Sequence, residues 1–96
     1  MHSPDTHALS RNPFTGEVIG AYPFASTAEV DAALASVDKG FRAMRTLSVA
    51  RRAVLLTRLA AALRARSEEM ARTITAEMGK PITQARAEVE KSAGLC

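Results

Sequence analysis

Apolar positions recur along this chain with two different periods, and the change comes at Ser26. Before it they sit in two short runs, His7-Ala8-Leu9-Ser10 and Glu17-Val18-Ile19-Gly20-Ala21-Tyr22, separated by Asn12-Pro13-Phe14-Thr15-Gly16. Pro13 presets φ for a turn, the Asn12 side chain can bond the backbone ahead of it, and Gly16 takes positive φ at no steric cost. This pattern predicts a β-hairpin. From Ser26 the period is helical. Ser26-Thr27-Ala28-Glu29 fits a capping box, and Val30, Ala33, Leu34, Val37, Phe41 and Met44 follow on one face. Gly40 costs that helix about 1 kcal/mol relative to Ala, and the helix is expected to end near Arg45.

Ser48 is the next cap, and from Val49 to Arg66 a second stripe is expected through Leu55, Leu56, Leu59, Ala62 and Leu63. Arg64 and Arg66 suit a helix C-terminus, while Ser67-Glu68-Glu69 suits the cap and first turn of another helix, so a break is predicted between them. The third helix carries Met70, Ile74 and Met78 and stops at Gly79. Pro81 is expected as the first residue of a fourth helix. That helix places Ile82, Ala85, Val89, Ala93 and Cys96 on one face, with Arg86 and Glu90 one turn apart on another. Its apolar spacing reaches Cys96 with no cap or polar tail, which reads as a chain that has been cut. Residues 1–6 read as a flexible arm and 7–96 as one segment without an internal boundary.

Composition limits what such a chain can be. Its 96 residues, 47% apolar and 24% charged, fit one small soluble domain at most. Chains this small bury only roughly 60 to 65% of their unfolded surface. A dinucleotide-binding fold with a separate catalytic domain does not fit in that length. Thirteen Lys and Arg against ten Asp and Glu leave a net charge of +3. The aromatics are Phe14, Tyr22, Phe24 and Phe41, three of them ahead of the long helical part. Neither charge nor aromatics make a nucleic-acid footprint. The lone Cys96 excludes an internal disulfide framework. No run approaches the ~18 to 20 apolar residues of a membrane span, and Met1 to Ser10 lacks the basic start and apolar core of a signal peptide. A soluble, cytoplasmic protein is expected.

Candidate chemistry is sparse. His2 and His7 lie at the start of the chain without a second ligand set at fixed spacing, and metal sites need three or four convergent ligands. Glu68 and Glu69 are a carboxylate pair, but adjacent helical positions do not face each other and a helix first turn explains both. The strongest signal is Arg42, Arg45, Arg51, Arg52, Arg58, Arg64 and Arg66, seven cations without an acid in 25 residues. Such a run suits a polyanion or an acidic partner surface; it equally suits a solvated or inter-domain face. Cys96 has no nearby base or helix N-terminus to lower its thiol pKa, so a buried helical cysteine is the plainer reading. The five glycines, at 16, 20, 40, 79 and 94, are too scattered for a phosphate-cradling loop. Read alone, the residues give a hairpin and four amphipathic helices, with no catalytic, cofactor-binding or metal residue.

Four segments bear a family likeness. Asn12-Pro13-Phe14-Thr15-Gly16-Glu17 resembles the NP-x-TGE turn near the start of aldehyde dehydrogenases, and Glu77-Met78-Gly79-Lys80-Pro81 resembles their E-x-GKP segment before a helix. Leu63 to Ala71 and Gln84 to Ala93 are similar to bacterial succinate-semialdehyde dehydrogenases. The resemblance covers about residues 7 to 96. It implies a parent enzyme with a three-layer α/β fold, a homo-oligomer, oxidising an aldehyde such as succinate semialdehyde to its acid with NAD or NADP. This segment would wrap the parent's nucleotide-binding domain.

In the family a Cys thiolate attacks the aldehyde, hydride passes to the nicotinamide, and a Glu-activated water hydrolyses the thioester, with an Asn side chain at the oxyanion. None of these groups maps onto a residue here, and Cys96 does not match the nucleophile. Some members hold a monovalent cation near the acid equivalent to Glu88 and the backbone before Asn12; a hairpin-anchoring carboxylate explains Glu88 as well. The resemblance therefore implies a truncated piece that is catalytically silent alone. The alternative from the residues is a free-standing helical module, binding or assembling through its Arg-rich middle or its apolar faces.

Overall fold

The computed structural model describes residues 3–96, so His2 lies outside the described residues. Ser3 opens a turn, its carbonyl accepting from the backbone N–H of Thr6 and of His7. Strands β1 (His7–Arg11) and β2 (Val18–Pro23) then form an antiparallel pair, with Ala8 opposite Tyr22 and Leu9 opposite Ala21. Ser10 faces Gly20 and Arg11 faces Val18, which leaves Ile19 as a bulge. The turn between the strands has the predicted chemistry. Asn12 Oδ1 accepts from Phe14 N at 2.8 Å and Thr15 N at 3.3 Å, and Gly16 takes φ 78°.

Four helices follow: α1 (Thr27–Arg45), α2 (Val49–Ala65), α3 (Ser67–Met78) and α4 (Ile82–Leu95). Ser26 and Glu29 form the capping box, Ser26 N donating to Glu29 Oε2 at 2.7 Å and Glu29 N to Ser26 Oγ at 3.2 Å. The Ser26 N–H, and then its hydroxyl, hold the Glu29 carboxyl below its ordinary pKa. Ser48 caps α2 through Arg51 N. Two expected boundaries shift by one residue. Ser67 is not a cap but the first residue of α3, because Arg66 alone makes the bend, at φ −111° and ψ 17°. Pro81 sits before α4 and not within it: Gly79 turns the chain in the left-handed region at φ 71°, and Pro81 leaves that turn extended, with ψ 137°.

The core is small. Ala60, Ala71, Ala85, Val89 and Ala93 are buried, and Met70, Ile74 and Ile82 pack against the cluster of Ala71, Ala85 and Val89. It lies where α4 runs between α3 and α2. The predicted stripes of the first two helices are not core. No residue of α1 is buried; Leu34, Val37 and Phe41 are 63%, 68% and 62% exposed. On α2 the buried residue is Ala60, while Leu55, Leu56 and Leu59 stay exposed, because α4 covers a different side of that helix.

The overall shape gives the reason. The chain measures 47 × 39 × 14 Å with a radius of gyration of 17.5 Å, against roughly 12 to 13 Å for a compact domain of this length. A thickness of 14 Å is little more than one helix diameter. A layer one helix thick has no interior to receive every stripe. Among the described residues no helix is long and apolar enough to cross a membrane.

Gly79→Ala is expected to destabilise by about 1 to 2 kcal/mol, the cost of a side chain in the left-handed region. The new Cβ would also stand 3.1 Å from Pro13 Cγ. Ala85→Leu, at a fully buried position, is expected to cost about 1 to 3 kcal/mol by overpacking, whereas Ala61→Leu on the exposed side of α2 should be near neutral. Urea unfolding followed by circular dichroism measures all three.

Candidate functional site

The two motif segments, far apart in sequence, meet in space. Pro13 of the hairpin turn packs against Gly79 between α3 and α4, at a distance that leaves no comfortable room for a Cβ there. Ser10 Oγ on β1 donates to Glu77 Oε1 on α3 at 2.6 Å. Lys80, the next residue after the turn, reaches forward to pair with the Glu88 carboxylate on α4. Between hairpin and helices lies an open groove of about 600 Å³, lined among others by Asn12, Phe14, Arg72, Thr75, Lys80 and Arg86. Thr75 Oγ1 is buried there without a hydrogen-bond partner among the described residues. Phe14 at the hairpin tip is 93% exposed.

Beside this groove the carboxylate of Glu68 collects two guanidiniums. Arg86 donates Nε to Oε2 at 2.9 Å and Nη2 to Oε1 at 2.8 Å, a bidentate pair from α4 to α3, and Arg72 Nε adds a longer bond of 3.4 Å. The Arg86 bonds, assisted by Arg72, outweigh partial desolvation and draw the Glu68 pKa from an ordinary 4.5 down to about 2. The Arg86 guanidinium is correspondingly held more firmly protonated. On the other side of α4, Arg64 of α2 donates Nε and Nη2 to Glu90, the latter at 3.0 Å. The expected Arg86–Glu90 pair within α4 therefore does not form. Each finds its partner on a neighbouring helix, Glu68 on α3 and Arg64 on α2, because α4 lies between those two helices.

His7 Nδ1 lies 2.8 Å from Thr6 Oγ1. Glu68 and Glu69 point to different partners, Glu69 to Arg66 at 2.8 Å, so they are not a catalytic pair. Of the seven arginines in the run, Arg42 pairs with Asp38, Arg64 with Glu90 and Arg66 with Glu69. Arg45, Arg51, Arg52 and Arg58 have no ion pair among the described residues. Arg51 and Arg58 border a shallow groove floored by Leu47, Val54 and Leu55, a feature that the run of cations alone did not reveal. Three of the seven cations are thus taken up in ion pairs. Cys96 is half-buried, its thiol 3.4 Å from the Ser92 carbonyl oxygen.

The surroundings of Glu88 do not favour the monovalent cation that the resemblance implies for some members. The Glu88 carboxylate already holds the ammonium of Lys80, and Lys91 lines the same surface depression, so the local charge disfavours a monovalent cation. Among the described residues no three His, Cys, Asp or Glu side chains converge as a metal would require.

A model of the aldehyde dehydrogenase family matches residues 2–96. Among curated proteins the chain is 53% identical over 94 residues to a succinate semialdehyde dehydrogenase, NAD(P)+, of Escherichia coli, across 98% of this chain and 20% of that protein. A succinate-semialdehyde dehydrogenase, NADP(+), of Deinococcus radiodurans is 34% identical over 92 residues, 96% of this chain and 19% of that protein. A glutarate-semialdehyde dehydrogenase of Pseudomonas putida is 38% identical over 84 residues, 88% of this chain and 18% of that protein. The chain spans about a fifth of the length of these relatives.

Because the folded-state pKa of Glu68 is depressed, the proton binds the unfolded chain more readily. Its contribution to stability is present above pH 4.5 and is lost as pH falls towards about 2. Glu68→Gln removes the titrating group, so it should lower thermal stability only slightly at neutral pH, because the pair is half exposed, and flatten the acid limb below pH 4.5. Melting curves of both proteins from neutral pH down to about pH 2 test this; parallel acid limbs would assign the effect to another carboxylate.

Proposed function

Since the chain belongs to the aldehyde dehydrogenase family, we propose that it is the N-terminal part of an NAD(P)-dependent enzyme oxidising a short semialdehyde, with succinate semialdehyde the preferred substrate, to the corresponding acid. The observation that carries this reading is the 53% identity sustained over 98% of the chain to the Escherichia coli succinate semialdehyde dehydrogenase. Other relatives are named for glutarate and malonate semialdehydes. Those substrates share a chemistry, an aldehyde at one end and a carboxylate at the other.

The part played by these 96 residues is structural. Oxidising an aldehyde requires a nucleophile or activated water beside the carbonyl and a hydride acceptor held against it. The thiol present, Cys96, faces a backbone carbonyl at the end of α4 and has no base beside it. The titratable groups whose pKa values shift most clearly do so in ion pairs between helices or within caps. What the chain does supply is a rigid junction, with the hairpin turn held against the α3–α4 turn by Pro13 on Gly79 and Ser10 on Glu77. The chain alone is therefore a scaffold segment without activity of its own.

The test is a chimaera in which this chain replaces the matched fifth of the Escherichia coli enzyme. It should form reduced nicotinamide from succinate semialdehyde, while the purified 96-residue chain should not. A folded but inactive chimaera, or turnover by the chain alone, would overturn the reading.

A further inference from the structure

We draw no further inference here: the strongest candidate, the shallow groove at the start of α2 floored by Leu47, Val54 and Leu55 and bordered by Arg51 and Arg58, is an apolar surface with cationic edges, and nothing in the structure shows what covers it.

Discussion

The contact on which the rest of this structure depends is the seam between α3 and α4, where Ala71 and Ala85 are both completely buried. Alanines at the contact let two helix backbones approach closely, and Val89, Met70, Ile74 and Ile82 fill the space around them. The seam can form because Gly79 reverses the chain within a few residues, using a left-handed conformation that a larger residue resists. The hairpin then rests on that same turn through Pro13. A disturbance at Gly79 is therefore felt in both the helix pair and the hairpin, although it touches no functional group.

Around the seam the charges act as a register. Glu68 with Arg86 and Arg72, Arg64 with Glu90, and Lys80 with Glu88 each join neighbouring turns or helices, and all keep substantial solvent exposure. Pairs of that kind contribute little net stability. Their directional geometry, above all the bidentate Arg86–Glu68 pair, disfavours a slip of α4 along α3. The acid-poor run from Arg42 to Arg66 looks different in this light. Part of it is the positive half of inter-helical and capping pairs whose acids lie before or after the run.

Features set by local rules could be read from the sequence. The capping box at Ser26, the cap at Ser48, the Asn12 turn and the stop at Gly79 depend on residues within a few positions of each other, and each is present. The apolar side of α4 was also legible, because Ala85, Val89 and Ala93 share one face whatever packs on it. What failed was the choice of buried side on α2, where Ala60 is inside and the leucines are not. Periodicity finds an apolar stripe; it does not say which neighbour exists to cover it. The pairing of Arg86 and Glu90 failed for the same reason, since spacing favours a partner one turn away and packing supplied closer ones on adjacent helices. Nor did the two family motifs, read separately, reveal that Pro13 and Gly79 touch.

Thickness links these observations to function. Among the described residues the buried ones are four alanines and a valine, in a layer 14 Å deep. Such a layer works by presenting faces. The α1 stripe alone holds five large apolar side chains at about half exposure, and covering them would contribute on the order of 5 kcal/mol. That is comparable with the whole stability of a small domain. The seam at Ala71 and Ala85 is what holds these faces in position.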